Sequence, residues 1–432
     1  MLLKRFKNSR VATNAGWIIA CKLCKAVLTL VSTMIVSRYL GVEGYGIINY
    51  AASLVSFVTP IMKLGLSEIL VHEIVCNPED EGKTLGTTIV LNLISSFLCV
   101  AGIVGFVCIV NANERDTILV TLCYSLLLVF QAMEMVYYWF QAKLKSKYTS
   151  IAILVAYIVV VAVQLGLTVC RAPIYFIALS YSIEYLIIAL VLIFFYKKDG
   201  VHKLSFSARQ AKVLLHKGKY YIISSLMVMV FSQTDKIMLK LMCSDATVGI
   251  YSAAITCASM TSFVFVAIID SIRPTIFDAE RDSLDFEKKM TSLYSVIIWF
   301  SLVQCVIITL AAPIIILVMY GTEYSAATNI LRLSVWFTTF SYIGTVRNIW
   351  ILSYGYQRYL NWINISGAVV NVLLNFLLIP VYGAMGAASA SVFAQFFTNF
   401  ILGYLIPDLR PNNRIICKAM NPKYVVNMLR GS

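Results

Sequence analysis

Long apolar segments fill almost the whole sequence and decide what the chain can fold into. They lie near residues 14–37, 44–66, 85–110, 117–140, 149–169, 174–196, 220–242, 248–272, 291–319, 327–353, 361–380 and 383–406. Each is long enough to cross about 30 Å of hydrocarbon as an α-helix. A helix satisfies the backbone polar groups within its own segment, which lipid requires. The sequence therefore predicts an all-α integral membrane protein with about twelve transmembrane helices.

Composition agrees with this class and argues against nucleic acid as a partner. The 432 residues are 60% hydrophobic and 13% charged, with a net charge of +14. A soluble domain carries about a quarter charged residues. With the N-terminus inside, about 25 lysines and arginines fall on cytoplasmic connections and 3 on outer ones. This positive-inside pattern predicts that both termini are cytoplasmic, with membrane lipids as partners of the basic connections.

A basic connector at residues 197–219 separates the first six segments from the last six. It predicts an N-terminal lobe over 1–196, a C-terminal lobe over 220–406 and a basic cytoplasmic tail over 407–432. Six spans in each half give both lobes the same orientation. The pseudo-twofold axis that relates them is therefore expected along the membrane normal.

A short internal repeat supports the division into halves. The second segment contains Gly46-Ile47 followed by Ala51-Ala52, and the eighth contains Gly249-Ile250 followed by Ala253-Ala254. Each stretch joins the first and second spans of its half.

The first segment carries a polar stripe formed by Lys22, Lys25, Thr29 and Ser32. Offsets of three and four residues put these side chains on one helix face. Lys22 can extend to the inner interface, whereas Lys25 lies too deep for that, roughly 16 Å along the helix at about 1.5 Å per residue. The stripe is a candidate binding wall.

Two interpretations of Lys25 stay open. One is a buried pair with an acid of another segment, such as Glu134 or Glu184. Alternatively Lys25 lines a cationic path for an anionic substrate group, because charges within spans usually face water-filled routes.

A second candidate site lies in the last six segments. Asp235 of the seventh segment, Asn371 and Asn375 of the eleventh, and Ser389 and Ser391 of the twelfth fall at similar depth. Carboxylate, amide and hydroxyl oxygens suit a small cation, and a carboxylate also suits a proton. The alternative is an interhelical hydrogen-bond network that holds these segments together. No other metal site is predicted.

Other charges within the segments are expected to have local roles. Arg332 and Arg347 fall near opposite ends of the tenth segment, where interfacial anchoring is the expected role. Lys236 and Lys240 share a helix face near the outer end of the seventh segment, so we expect them to extend to the interface.

Several motifs, in order along the chain, carry a family resemblance. They are Ser37-Arg38-Tyr39-Leu40-Gly41 with Gly44 and Gly46, Asp235 through Leu239, Val248 through Ala254, Tyr320 through Tyr324, Asn371 through Asn375 to Ile379-Pro380, and Gly383 through Ala388. With them the chain resembles the O-antigen or capsule-type polysaccharide flippases of the multidrug/oligosaccharidyl-lipid/polysaccharide (MOP) exporter superfamily.

This resemblance implies a MATE-like fold of two six-helix lobes around a central cavity. It implies a lipid-linked oligosaccharide as substrate, typically on undecaprenyl diphosphate, flipped from the cytoplasmic to the outer leaflet of the bacterial inner membrane. The glycan would serve lipopolysaccharide or capsule synthesis, with polymerase and assembly proteins as partners. By resemblance to the lipid II flippase, Lys22 and Lys25 would line the first-lobe cavity, and Asp235, Asn371 and Asn375 would bind a coupling Na⁺ or proton.

The charges of the first segment and the short outer connections also bear on other function classes. A MATE-type multidrug/cation antiporter should favour acids in its first-lobe cavity, whereas the first segment here is cationic. A membrane glycan polymerase or acyltransferase needs catalytic groups at a membrane face or in a large outer loop. The three histidines are all in cytoplasmic connections and the outer connections are short. The sequence thus predicts a transporter without a cofactor rather than an enzyme, and leaves a scaffold of a polysaccharide assembly complex open.

Overall fold

The computed structural model describes the backbone of residues 10–199, 203–281 and 283–422, and the side chains of these residues except 10–20, 22–23, 68, 220 and 224. Within these ranges the regular elements are helices, with no strand. The chain divides into two compact units, a first unit up to residue 229 and a second unit from residue 230. This boundary lies inside a helix, ten residues beyond the start expected for the C-terminal lobe.

The first unit is built from eight helices and the beginning of a ninth. They are α1 (Arg10–Met62), α2 (Leu66–Cys76), α3 (Glu81–Val110), α4 (Arg115–Ser125), α5 (Leu127–Gln131), α6 (Met135–Ala142), α7 (Ser146–Val169), α8 (Ile174–Asp199) and α9 (Ala208–Met242).

The second unit takes the rest of α9 and eight further helices. They are α10 (Asp245–Ser259), α11 (Ser262–Phe277), α12 (Leu284–Met319), α13 (Ala327–Ser353), α14 (Arg358–Tyr382), α15 (Ala384–Phe396), α16 (Leu402–Leu405) and α17 (Arg410–Ala419). A π-helical turn, Phe397–Ile401, joins α15 to α16.

Ten helical stretches within the described residues are long and apolar enough to cross a membrane. One of them, in α1, contains two predicted segments, which meet at a kink where Gly41 has φ 66° and ψ −174°. Glycine tolerates this positive φ because it has no Cβ. Helix α13 has the length of a span, 27 residues, but is not among the ten. All twelve predicted segments are largely helical, and the all-α membrane class is confirmed.

Helices α14 and α15 approach closely at Gly386. A Cβ added to Gly386 would lie 2.4 Å from the Leu378 carbonyl oxygen, which is backbone and cannot rotate away. We expect Gly386→Ala to lower the free energy of unfolding by about 1–3 kcal/mol through overpacking. The measurement is the melting temperature in detergent. The control is Gly102→Ala in α3, where nothing lies within 4 Å of the added Cβ; equal shifts for the two variants would contradict this packing argument.

The interfacial role expected for Arg347 is wrong. Its side chain is 4% exposed, and the guanidinium donates to the Thr398 carbonyl at 2.6 Å. Thr398 belongs to the π-helical turn that follows α15. Gly344 contributes as well, because its missing side chain lets Asn399 approach. The arginine therefore links α13 to the end of α15.

The Lys240 side chain does not extend outward as expected, but pairs within the protein. Lys240 is 8% exposed, and its Nζ lies 2.5 Å from Asp245 Oδ2. Asp245 starts α10, and the preceding Ser244 caps that helix by accepting from the Thr247 N–H. The short turn between α9 and α10 thus brings the carboxylate back onto the lysine, and the pair fixes the turn.

Candidate functional site

A cavity of about 570 Å³ lies inside the first unit. Both halves of α1, the turn after it, the start of α2, α4 to α8 and the middle of α9 form its wall. Most of the lining side chains carry a hydroxyl group. They are Thr29, Ser32, Thr33, Ser56, Thr59, Ser67 and Ser225, with Tyr124, Tyr138, Tyr157, Tyr181, Tyr185 and Tyr221. Its size is in the range of small-molecule sites, and its wall offers hydrogen bonds together with aromatic faces.

Lys25 lies beside this cavity. Its Nζ lies 4.5 Å from the centroid of the Tyr157 ring, a cation–π contact with a residue of the cavity wall. Among the described side chains, no acid lies within 4.0 Å of this ammonium. Lys22 is on the same helix, but its side chain lies outside the described residues. Lys25 is thus positioned to meet an anionic group at the wall.

Thr29 and Ser32 of the polar stripe both line the cavity. The Thr29 hydroxyl donates to the Lys25 carbonyl at 2.8 Å. The Ser32 hydroxyl donates to Gln164 Oε1 at 2.5 Å, and the Gln164 amide donates to Ser180 at 3.1 Å. This chain of hydrogen bonds ties α1 to α7 and α8.

Sequence reasoning did not select Lys63, which lies at the cavity wall just after α1. Its Nζ pairs with Glu134 Oε2 at 2.9 Å. The Gln131 amide donates to the same oxygen at 3.2 Å. Glu134 is therefore the ion-pair partner of Lys63. This excludes the Lys25–Glu134 pair, one of the two pairs considered for Lys25. The signal in the sequence was a lysine at the end of an apolar segment.

Glu184 is the acid that lines the cavity directly. It lies on α8 between Tyr181 and Tyr185, and offsets of three and four residues put all three on one face. The side chain is 7% exposed. The carboxylate lies near the Tyr157 hydroxyl and within electrostatic range of the Lys25 ammonium. Tyr157 therefore has a cation and an anion among its neighbours.

Asp235 is the centre of a hydrogen-bonded cluster in the second unit. The carboxylate is 4% exposed. Its Oδ1 accepts from the Asn375 amide at 2.6 Å. Its Oδ2 accepts from the Tyr251 hydroxyl at 2.5 Å and from the Ser391 hydroxyl. Asn375 also donates to Asn371 at 3.1 Å. The structure thus brings four of the five predicted residues together, Asp235, Asn371, Asn375 and Ser391. It adds Tyr251, which sequence reasoning placed in a motif but not in the site.

The fifth predicted residue, Ser389, does not join this cluster. Its hydroxyl donates to the Met385 carbonyl of its own helix at 2.9 Å. Ser391, two residues further on, faces Asp235 instead.

The Asp235 cluster fits a monovalent cation or a proton. The oxygen atoms that could act as ion ligands belong to one carboxylate, two amides and two hydroxyls, and such oxygens are hard ligands. The Asn375 Oδ1 is buried without a hydrogen-bond partner. This amide oxygen, on a residue that contacts the Asp235 carboxylate, is therefore available to an ion. Among the described residues, no group of three or more His, Cys, Asp or Glu side chains is arranged for a metal ion. A single carboxylate is a weak basis for a divalent ion.

A family profile described as polysaccharide biosynthesis protein matches residues 11–280. The chain belongs to this family. The match runs through the first unit, with its cavity, and into the second unit to residue 280, so it includes Asp235 and Tyr251. No protein with a curated function matches the chain.

Solved structures that resemble this family member are transporters. A multidrug resistance MATE family transporter of the MOP superfamily, inward-facing, has a TM-score of 0.69 at 13% identity, covering 92% of this chain and 96% of that one. The lipid II flippase MurJ, in an inward closed conformation, has a TM-score of 0.69 at 13% identity, with 95% and 92% covered. A MOP superfamily transporter from Pyrococcus furiosus scores 0.57 at 12% identity, with 95% and 96% covered. The family member is a multi-span helical membrane protein with the MOP transporter fold.

Proposed function

We propose that the protein is a flippase that moves a lipid-linked oligosaccharide, carried on undecaprenyl diphosphate, from the inner to the outer leaflet for cell-surface polysaccharide synthesis. The observation that carries this proposal is the hydroxyl-rich, tyrosine-lined cavity with Lys25 beside it. Sugars offer hydroxyl groups and apolar ring faces, and a diphosphate offers negative charge; the wall has a counterpart for each. Membership of the polysaccharide biosynthesis family and the fold shared with the lipid II flippase support the same function.

The physical task is to carry a charged, hydroxyl-rich head group past hydrocarbon. Transfer of such groups into an apolar medium without partners costs many kcal/mol. A polar cavity replaces water for the head group while the polyprenyl tail stays in lipid. Lys25 stabilises the diphosphate by charge-assisted hydrogen bonds. The protein alternates between inward-open and outward-open states, and the ligand biases this equilibrium by its differential affinity for the two.

Coupling to an ion is a second part of the proposal. A Na⁺ ion or a proton at Asp235, with Asn371, Asn375 and Ser391 as neighbours, biases the same equilibrium. The support is the buried carboxylate on a membrane helix and the unpaired Asn375 Oδ1 beside it. Intramembrane acids of this kind commonly mark ion pathways.

The cellular setting follows from the proposed substrate. We place the protein in the bacterial inner membrane with both termini cytoplasmic, in a pathway that builds O-antigen, capsule or a related polymer. Polysaccharide polymerase and assembly proteins are the expected neighbours. Flipping makes and breaks no covalent bond, so no catalytic residue is proposed.

A multidrug/cation antiporter is the second candidate function, and Glu184 favours it. An acid surrounded by tyrosine rings could hold an organic cation by charge and cation–π contact. Binding of rhodamine 6G to the purified protein, lost in Glu184→Gln and insensitive to Lys25→Ala, would support this candidate over the flippase.

The decisive experiment for the flippase is a leaflet-accessibility assay. Vesicles with the purified protein receive a fluorescent undecaprenyl-diphosphate oligosaccharide in both leaflets, and a membrane-impermeant reagent then bleaches the outer one. A flippase exposes nearly all the label, whereas protein-free vesicles lose about half. Loss of only half in the presence of folded protein would contradict the proposal.

A further inference from the structure

The charged side chains of the first-unit cavity are not equivalent. Lys63 and Glu134 neutralise each other at 2.9 Å. Lys25 and Glu184 each have no ion-pair partner within 4.0 Å among the described side chains, and both contact Tyr157. Within the part of the chain that the structure describes, a ligand in this cavity therefore meets the Glu184 carboxylate in the wall and lies near the Lys25 ammonium beside it.

Glu184 can accept hydrogen bonds from a ligand in the cavity. An ionised carboxylate in a membrane-embedded protein is costly without a cation or several hydrogen bonds. The Tyr157 hydroxyl lies nearby, and the 7% exposed side chain faces the cavity. Hydroxyl groups or an ammonium group of a bound ligand would supply the remaining donors, whereas a second carboxylate would bring repulsion and no donor.

The side chains around Glu184 indicate which chemical groups of a ligand would fit there. Tyr181 and Tyr185 flank it on the same face of α8, and the Tyr181 ring lies 5.1 Å from that of Tyr124, centroid to centroid. Tyrosine rings present an apolar face beside a polar hydroxyl, which suits the mixed surface of a sugar ring. One ligand could satisfy both residues, with an anionic group beside Lys25 and a sugar ring rich in hydroxyl donors beside Glu184.

From this arrangement we infer that Glu184 is a specificity-determining residue that excludes acidic sugars. The sugar that lies against α8 is a neutral sugar or an amino sugar, and not a uronic acid. This inference rests on the proposed function and adds the class of glycan that the cavity accepts.

The test compares two lipids that differ at one carbon. Both are undecaprenyl-diphosphate disaccharides with the same first hexosamine, followed by glucose in one and by glucuronic acid in the other. In the leaflet-accessibility assay, the wild-type protein is expected to move the glucose lipid at least about tenfold faster, equivalent to about 1.4 kcal/mol. Glu184→Gln keeps the shape and removes the charge, so the ratio should fall to within about threefold, chiefly through faster movement of the acidic lipid.

Two further variants separate charge from structure. Glu184→Asp keeps the carboxylate and should keep the discrimination. Glu43→Gln removes an exposed carboxylate that does not line the cavity and should leave the ratio unchanged. Melting curves of all variants show whether each is folded.

The outcomes distinguish the inference from the proposed function. Equal wild-type rates for the two lipids, or an unchanged ratio in folded Glu184→Gln, would overturn the inference while transport itself still stands. Failure of the wild-type protein to move either lipid would overturn the proposed function. In that case the stabilisation of the protein by each lipid in detergent decides the inference, since the glucose lipid should raise the melting temperature more, and an equal effect or none would refute it.

Discussion

Replacing Lys25 by alanine should reduce transport of the lipid-linked oligosaccharide by about a hundredfold or more, with a near-normal amount of protein in the membrane. The ammonium is held only by the Tyr157 ring, so its removal breaks no ion pair with an acid of the described chain. A diphosphate would lose charge-assisted hydrogen bonds worth about 1.5–3 kcal/mol each. The measurements are the flipping rate in vesicles and glycan export in cells, with the protein quantified by immunoblot.

Two matched lysine variants complete this experiment. Lys25→Arg keeps the positive charge and should retain much of the activity, although the planar guanidinium binds phosphate with different geometry. Lys83→Ala removes an exposed lysine that pairs with Asp80 at 2.8 Å and does not line the cavity, so transport should stay within about twofold of wild type. Unchanged transport in Lys25→Ala would remove this residue from the substrate site.

The helices were predictable because lipid leaves few options. A segment of about twenty apolar residues must satisfy its backbone internally, so its helical state follows from composition alone. The kink at Gly41 and the π-helical turn at 397–401 were not predictable in this way. Each depends on a local backbone geometry or on a tertiary contact, such as the Arg347 guanidinium on the Thr398 carbonyl.

The candidate sites show where counting along helices succeeds and where it fails. Depth follows from a fixed rise per residue, so Asp235, Asn371 and Asn375 could be placed at one level of the membrane. Rotation about the helix axis does not follow from depth. For that reason Ser391 meets the carboxylate while Ser389 bonds to its own helix.

Charge pairing between distant segments was the other unpredictable part. Lys25 had two candidate acids in the sequence, Glu134 and Glu184. In the structure Glu134 pairs with Lys63, whereas Glu184 and Lys25 both lie near Tyr157. The first pairing depends on how the turn after α1 packs near the start of α6, and the second on how α1 packs against α7 and α8. No spacing in the sequence records either.

Replacing Asp235 by asparagine should leave the second unit folded and abolish its response to a coupling ion. The present carboxylate accepts from Tyr251, Ser391 and Asn375. An asparagine oxygen can still accept from the two hydroxyls, and its amide can donate to the Asn375 Oδ1, which is unpaired at present. A rotation of the Asn375 amide therefore keeps position 235 bonded to Tyr251, Ser391 and Asn375, although Asn375 then loses its bond to Asn371. The negative charge that would hold a cation is lost.

Asp235→Ala should behave differently, because it leaves those three donors without their shared acceptor. Each buried unsatisfied donor costs about 1–3 kcal/mol, so we expect a clear fall in the melting temperature for alanine and a small one for asparagine. If Na⁺ is the coupling ion, adding it should raise the melting temperature of the wild-type protein and leave that of Asp235→Asn unchanged. If a proton is used, a pH gradient should drive transport in the wild-type protein and not in Asp235→Asn.

Serine variants provide the matched control for this site. Ser389→Ala loses a bond to its own helix only and should keep the wild-type ion response, whereas Ser391→Ala removes a direct partner of Asp235 and should weaken it. If neither Na⁺ nor a pH gradient affects the wild-type protein, and Asp235→Asn transports normally, the cluster is a structural network and the coupling proposal is wrong. The large loss of stability in Asp235→Ala would remain, since it depends only on the three donors that the carboxylate now satisfies.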